Sequence, residues 1–406
     1  MTEQVASKNN LPEIRPQLHL LRNKDSELDV FSKVDRKINR FLEKWELKGA
    51  SIAMAKDGKL KYAKGFGYAN EEEQILVQPF HQFRIASVSK LITAAAIMQL
   101  KEQGKIELTD KVFGENGILN DSLYLHPRNK RVLDIEVQHL LNHTSGFINQ
   151  FRTDPMFIPL DIANTMDAAC PPAFSTTLHF MLKQKRHIHP GSYFDYSNFG
   201  YCLLGAIIEK VSGESYESYV QTQLLQPIGV HQMHLAKNRV EDKRTDEVMH
   251  YDFEDAEPKL SIYGTGDSVS RVYEGNHIEA LGPAGGWVTS PVELIRFVMA
   301  IDGDKTKENI LNDASIRLMA GADSANQLTM GWMYSDKYKW MRTGNMAGAA
   351  SLVCRLEDGS TWVFVSNTST WKGPGFYRDI YNLMQNVQGS VKSWPEHDLF
   401  EKVYMW

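Results

Sequence analysis

The sequence predicts an α+β fold in which one antiparallel sheet is built from both termini, is flanked by helices and carries an inserted, mostly helical lobe. Three observations predict this architecture. Strand-like alternation around Asp-Gly turns occurs near both ends, and helical periodicity dominates the middle. A chain of 406 residues, 42% of them hydrophobic, can also bury a large core. The simplest assembly joins the strands of both ends in one sheet.

The first elements after a polar N-terminal extension, residues 1–29, are a helix and a hairpin. From Val30 to Leu47, apolar residues recur at three- and four-residue steps, which predicts an amphipathic helix that covers the sheet. The segment 49–69 then alternates on both sides of Asp57-Gly58, a dipeptide that suits a tight turn. Two antiparallel strands are expected there.

The middle of the chain is mostly helical, and the end repeats the hairpin pattern. A second hairpin is predicted around Asp358-Gly359, followed by a helix over 376–388. Helical patterns between the two hairpins cover 89–104, 136–142, 176–186, 199–212, 215–224 and 291–302.

These elements suggest a division of the chain into two lobes and a tail. Residues 30–110 and 260–390 form a discontinuous sheet lobe, and residues 111–259 form a helical lobe with active-site loops. The tail, 391–406, carries enough apolar side chains to dock on its own domain or on a neighbour, and the sequence leaves both open.

Charge and hydropathy exclude two classes of partner. Fifty acidic residues against 45 basic ones give a net charge of -5, so no large positive field is offered to nucleic acid. The longest apolar stretches, 91–100 and 201–208, fall short of the roughly 18 residues that span a bilayer. We expect no nucleic-acid partner and no transmembrane segment.

Neither a metal nor a cofactor is expected. The three cysteines are far apart in the sequence, and the close histidine pairs at 187/189 and 231/234 lack ligands at metal-binding spacing. The N-terminal sequence lacks the pattern of a secretory signal, which predicts a cytoplasmic protein, or a periplasmic or exported one if a signal peptide was trimmed.

A Ser-x-x-Lys motif begins the helical run at 89–104. Residues three apart share one helix face, so the Lys90 amine can reach the Ser87 hydroxyl, and the helix N-terminus adds a positive dipole. A serine there can become a nucleophile. Taken alone the motif is weak, because it recurs by chance and Ser87 could merely cap the helix.

Two further motifs follow in order: Tyr196-Ser-Asn198 before an apolar helix, and Arg342-Thr-Gly344 on a predicted strand. With these three motifs the chain resembles the serine β-lactamase and penicillin-binding protein family. The resemblance runs from about residue 34 to 388 and is closest to the class C β-lactamase group, which also holds esterases and D-amino-acid peptidases. It implies the β-lactamase/transpeptidase-like fold.

The resemblance also implies roles for individual residues. Ser87 would be the acylated nucleophile, and Lys90 would be a proton acceptor hydrogen-bonded to it. Tyr196 would complete the base. The base cannot be assigned between Lys90 and Tyr196, because both groups have ordinary pKa values near 10. Asn198 would orient the acyl side chain, and the backbone N–H groups of Ser87 and Asn345 would form the oxyanion hole.

Arg342 departs from the family pattern, which usually has Lys or His at this position. Arginine offers a planar fork suited to a carboxylate but cannot shuttle protons at neutral pH. We therefore expect Arg342 and the Thr343 hydroxyl to bind a substrate carboxylate. Gly344 would let the substrate lie close against the strand.

The leading hypothesis is a serine hydrolase that acts through a Ser87 acyl-enzyme on an amide, ester or lactam. Its substrate would be a small molecule or peptide with a carboxylate. A penicillin-binding-protein-like D-alanyl peptidase or esterase comes first. A β-lactamase is the alternative, and a non-catalytic sensor that kept the cleft is the rival from another class.

Overall fold

The computed structural model describes residues 17–405, except residues 19, 148–152, 305, 306, 308 and 323–327. Most of the predicted N-terminal extension, together with Trp406 of the tail, lies outside the described residues. The division of the chain into a sheet lobe and a helical lobe stays a prediction.

Fourteen strands occur in the described part of the chain. They are β1 (Gln17–Leu18), β2 (Gly49–Lys56), β3 (Lys59–Asn70), β4 (Ile75–Leu76), β5 (Phe83–Arg84), β6 (His234–Leu235), β7 (Lys259–Leu260), β8 (Ser268–Val269), β9 (Trp287–Thr289), β10 (Tyr334–Ser335), β11 (Lys339–Met346), β12 (Ala349–Leu356), β13 (Ser360–Ser366) and β14 (Tyr404–Met405).

Twelve α-helices accompany these strands within the same described residues. They are α1 (Ser32–Trp45), α2 (Ser89–Glu102), α3 (Val137–Leu141), α4 (Pro159–Met166), α5 (Phe174–Leu182), α6 (Asn198–Ser212), α7 (Tyr216–Tyr219), α8 (Gly282–Gly285), α9 (Pro291–Met299), α10 (Asp313–Met319), α11 (Tyr377–Gln388) and α12 (Phe400–Val403). Within the ranges described, no helix is both long and apolar enough to cross a bilayer.

One seven-stranded antiparallel sheet joins the two ends of the chain. Its strand order is β10-β11-β12-β13-β2-β3-β4. The junction is the pair β13–β2, in which Ser366 lies opposite Ala50 and Ser360 opposite Lys56. Both predicted hairpins are present, β2–β3 around Asp57-Gly58 and β12–β13 around Asp358-Gly359. The predicted α+β fold is therefore confirmed.

Alternation along the central strands divides their side chains between two cores. Ile52 of β2 faces one core, which it shares with Phe41 of α1 and Met384 of α11. Its neighbour Ala53 faces the other core, together with Leu294 of α9. Helix α2 belongs to this second core and is apolar on nearly every side, so it lies buried rather than at the surface. Its burial brings the Ser-x-x-Lys motif into the interior.

Four helices were not predicted from the sequence, and one predicted helix changes form. The unpredicted helices α4, α8, α10 and α12 have eight, four, seven and four residues, too few for a periodic pattern to stand out. The helix predicted over 215–224 begins as α7 and continues as a π-helix over Val220–Leu225.

The C-terminal tail docks on its own chain. Leu399 is fully buried, and its N–H donates to the Leu60 carbonyl oxygen at 2.8 Å. The Arg296 guanidinium lies 4.2 Å from the ring centre of Phe400. Strand β14 pairs with β1, so the two ends of the described chain lie side by side.

Ile52 lies on β2, at the junction where strands from the two ends of the chain pair, and we expect the stability of the fold to depend strongly on it. Ile52 is fully buried, whereas Ile75 on the edge strand β4 is 43% exposed. Ile52→Ala should lower the free energy of unfolding by about 2–5 kcal/mol, because it removes packed methyl groups and leaves a cavity. Ile75→Ala, the matched control, should change it by less than about 0.5 kcal/mol. Urea unfolding measures both, and equal losses would contradict this account of the core.

Candidate active site

Ser87 lies in a strained turn at the start of α2. The 3₁₀ turn Ala86–Val88 runs directly into the helix, which places Ser87 at its positive end. Ala86 has a φ of 46°, a left-handed conformation that costs a non-glycine residue about 1–3 kcal/mol. The Ser351 hydroxyl of β12 donates to the Ile85 carbonyl oxygen at 2.7 Å. The sheet therefore holds the strained turn in place.

Lys90 is fully buried, and its ammonium group donates hydrogen bonds to three acceptors. Its Nζ lies 3.3 Å from Ser87 Oγ, 2.7 Å from Asn198 Oδ1 and 2.5 Å from the Ala284 carbonyl oxygen. Burial lowers the pKa of Lys90 below its usual value, and the neighbouring Tyr196 oxygen opposes that shift. The Lys90 amine thus connects Ser87 of the Ser-x-x-Lys motif with Asn198 of the Tyr-x-Asn motif through hydrogen bonds.

The Tyr196 hydroxyl lies 2.8 Å from Ser87 Oγ and accepts a hydrogen bond from Arg342 Nη2 at 2.7 Å. The Lys90 ammonium also lies 4.9 Å from the centre of its ring. Burial opposes ionisation of this phenol, yet the cations Arg342 and Lys90 outweigh it and lower the pKa of Tyr196 to about 8.

Arg342 is turned inward, which differs from the expectation that its fork binds a substrate carboxylate. The side chain is only 2% exposed. Its Nε donates to the Ser87 carbonyl oxygen at 2.8 Å, while Nη2 is bonded to Tyr196. Two of its three nitrogens are therefore occupied by the protein's own oxygens. The physical reason is that its place on β11 directs the side chain at the 3₁₀ turn that carries Ser87.

The His143 ring packs against the ring of Tyr196. Its ring centre lies 4.4 Å from that of Tyr196, and its Nδ1 accepts the backbone N–H of Ser197 at 3.2 Å. Burial, with the nearby positive charges of Arg342 and Lys90, holds the pKa of His143 well below its ordinary value. The ring is therefore neutral at pH 7 and packs against Tyr196 without adding a charge to the site.

Asp154 is a site residue that sequence reasoning missed. Its Oδ2 accepts the backbone N–H of Asn198 at 2.6 Å, and its Oδ1 accepts that of Met156 at 3.0 Å. The carboxylate thereby fixes the first residue of α6, whose side chain holds Lys90. The Asp-Pro dipeptide at 154–155 signals a helix start, but nothing in the sequence connects it with a helix more than 40 residues later.

Strand β11 continues from Arg342 along the cleft. A Cβ on Gly344 would lie 2.2 Å from the Ile85 carbonyl oxygen, so close packing of the strand against the turn that carries Ser87 already requires glycine here. Its role in the approach of a substrate stays a prediction. The Thr343 hydroxyl lies 3.3 Å from Met333 Sδ. Thr343, Gly344 and Asn345 all border the cleft, and the oxyanion role of the Asn345 N–H stays a prediction.

These residues open into a cavity of about 570 Å³. Most of its other walls are apolar or aromatic: Phe157, Phe194, Leu281, Met333, Met346, Pro374, Phe376, Tyr377 and Ile380. A cavity of this size and character suits a small ligand with an apolar body and a few polar groups near the nucleophile.

No group of three or more His, Cys, Asp or Glu side chains suited to a metal ion occurs among the residues described. The three cysteines are present as free thiols, with Cys202 and Cys354 buried.

Comparison with known proteins relates this geometry to a family. Protein flp of Staphylococcus aureus is 28% identical over 234 residues, which are 57% of this chain and 43% of flp. The chain therefore matches less than half the length of that relative. The octameric penicillin-binding protein homologue from Pyrococcus abyssi superposes with a TM-score of 0.66 and 26% identity, covering 91% of this chain and 80% of the homologue.

A third relative shares the fold at lower identity. The D-amino acid amidase from Ochrobactrum anthropi superposes with a TM-score of 0.67 and 20% identity over 90% of this chain and 99% of the amidase. The model of the Beta-lactamase family matches residues 34–385. Because this match covers most of its length, the chain belongs to the Beta-lactamase family.

Proposed function

We propose that the chain is a serine hydrolase that forms an acyl-enzyme on Ser87, as a penicillin-binding-protein-like D-alanyl peptidase or esterase does. One observation carries the proposal: Ser87 Oγ lies within hydrogen-bond reach of both the Tyr196 hydroxyl, at 2.8 Å, and the Lys90 ammonium, at 3.3 Å. A nucleophile beside a base that a third group orients is the arrangement that acyl transfer needs.

Tyr196 is the better candidate for the base. Lys90 donates to three oxygens, an arrangement that stabilises its charged form. Tyr196 has two cations beside its oxygen and a pKa of about 8, so a useful fraction is ionised near neutral pH. Of the two bases that the motifs leave open, we therefore propose Tyr196 as the proton acceptor, with Lys90 and Arg342 stabilising its anion.

The proposed reaction consists of acylation and deacylation, and each of these halves has two proton transfers. Tyr196 takes the proton of Ser87 as Oγ bonds to the acyl carbon, and the carbonyl oxygen becomes an oxyanion facing the Ser87 and Asn345 N–H groups. Collapse breaks the bond to the leaving group, which receives the proton from Tyr196. Water then attacks the ester in the same way and releases the acid and the free Ser87 hydroxyl.

The amide and ester substrates are favoured by the cavity. Its mainly apolar walls suit an acyl group with an apolar body. The D-amino acid amidase and the penicillin-binding protein homologue share this fold, which supports hydrolysis of amides without fixing the substrate. A β-lactamase would need rapid deacylation in addition, and the test below separates the two.

Covalent labelling tests the nucleophile. The parent protein should gain the mass of one acyl group when treated with a fluorescent penicillin or p-nitrophenyl butyrate, because Ser87 Oγ is the attacking atom. Ser87→Ala should gain none, and Ser192→Ala, which removes an exposed hydroxyl of the loop before Tyr196, should label as the parent does. Intact-protein mass spectrometry over time provides the measurement.

The time course separates the alternatives. A long-lived penicillin adduct supports a penicillin-binding-protein-like enzyme, and a transient adduct with accumulating penicilloate indicates a β-lactamase. Reversible binding of penicillin with no adduct from either reagent would favour a sensor. Turnover by Ser87→Ala at the parent rate would refute Ser87 as the nucleophile.

The pH dependence tests the role of Arg342. Because Tyr196 must be ionised to act, kcat/KM should rise with pH and level off above about 8. Arg342→Met removes a cation that lowers this pKa, so the rising limb should move to higher pH by about 1–3 units. Arg342→Lys keeps a cation near Tyr196, so its rising limb should lie between those of the parent and of Arg342→Met. Arg40 is an exposed arginine on α1, and Arg40→Met should leave the profile unchanged.

The measurement is hydrolysis of p-nitrophenyl butyrate across this pH range, with the spontaneous rate subtracted. A rate that falls equally at every pH in Arg342→Met, with no movement of the limb, would mean that Arg342 only supports the fold.

A further inference from the structure

The catalytic cleft continues into a second cavity of about 370 Å³. The two spaces share walls, which include Phe157 and Leu281 on one side and Asn345 and Met346 at the end of β11 on the other. Trp371, which is 72% exposed, also lines this second cavity. A ligand bound at Ser87 can therefore extend into this side cavity.

The side cavity carries an uncompensated positive charge. Its two cations are Lys259 on β7 and Arg271, and none of its described lining residues is acidic. Arg271 is neutralised by a two-bond pair with Asp252, at 2.8 and 2.7 Å. Lys259 donates to the neutral Asn276 Oδ1 at 2.9 Å, and no carboxylate of a described residue lies within ion-pair distance of it. An anion would supply the missing charge.

Two residues that line the same space each carry a polar atom without a partner. Asn345 Nδ2 and Thr370 Oγ1 are both buried and make no hydrogen bond within the described part of the protein. A buried donor left unsatisfied costs about 1–3 kcal/mol, so a bound acceptor would recover part of that cost. Burial and the nearby Arg271 also lower the pKa of Lys259, which is the expected state of a lysine without a counter-ion.

The position of the side cavity indicates which part of a substrate enters it. The leaving group has to take its proton from Tyr196, which lies beside Arg342 near the middle of β11. The side cavity borders the end of this strand, at Asn345, Met346 and Ala347. The acyl part of the substrate, which stays on Ser87, therefore extends toward Lys259.

We propose that the side cavity is a subsite for an anionic end of the acyl group, in which Lys259, assisted by Asn345 and Thr370, binds a carboxylate at the end of an apolar acyl chain. This inference rests on the proposed acyl-enzyme chemistry of Ser87. It assigns to Lys259 the carboxylate recognition that the motifs had suggested for Arg342, two of whose three nitrogens are bonded to Ser87 and Tyr196.

Hydrolysis of paired p-nitrophenyl esters tests the subsite. The substrates are half-esters of dicarboxylic acids from adipate to sebacate, each compared with the neutral ester of similar length. The Ser87→Ala variant supplies the blank for spontaneous hydrolysis. The parent protein should prefer one or more half-esters over their neutral counterparts by about tenfold or more in kcat/KM, the effect of a charge-assisted hydrogen bond.

Three lysine variants make the assignment specific. Lys259→Met should abolish the preference while leaving neutral esters unchanged, and Lys259→Arg should retain it. Lys210→Met is the matched control, because Lys210 is a half-exposed lysine near the far end of α6, roughly 18 Å along the helix from Asn198. It should preserve the preference, which rules out a general effect of net charge.

The results distinguish the two proposals. Turnover of neutral esters without any preference for half-esters, or a preference that survives Lys259→Met, overturns the subsite and leaves the hydrolase intact. Failure of the parent protein to hydrolyse any ester, amide or lactam overturns the hydrolase, and the acyl subsite with it.

Discussion

The hydroxyl of Tyr196 lies between two buried cations, and this electrostatic contact governs the site. Lys90 and Arg342 are almost completely removed from water, so their charges act on the phenol with little screening. The three side chains come from α2, from the loop before α6 and from β11. The contact therefore exists only when the helices and the sheet are packed together, and the chemistry of the site depends on the complete fold.

Burying two positive charges beside each other is costly, and the structure offsets the cost with backbone oxygens. Lys90 donates to the Ala284 carbonyl and Arg342 to the Ser87 carbonyl. These dipoles stabilise the cations without neutralising them, as a carboxylate would. The remaining positive field then acts on the Tyr196 hydroxyl, whose pKa it lowers. The arrangement spends stability on a preorganised field, a common property of active sites.

Much of this could be predicted from the sequence. The two Asp-Gly hairpins are local signals, and the three motifs match a family whose members place them around one nucleophile. The orientation of Arg342 could not be predicted, because a residue type does not say which neighbour a side chain meets across a strand. Asp154 was missed for a related reason: it accepts a hydrogen bond from Asn198, which is far away in the chain, and it belongs to no motif. Lys259 also belongs to no motif, and it comes near the cleft only in the folded chain.

Gly344 has a consequence for how the strand bordering the cleft reaches its alignment. Side chains along a strand alternate between its faces, so a slip of β11 by one residue would turn Thr343 or Asn345 toward the Ile85 carbonyl oxygen. There is no room for a Cβ at this position, since one built on Gly344 would lie 2.2 Å from that oxygen. Misaligned pairing is thus rejected sterically. The alignment of β11 with the turn that carries Ser87 is therefore fixed by packing alone.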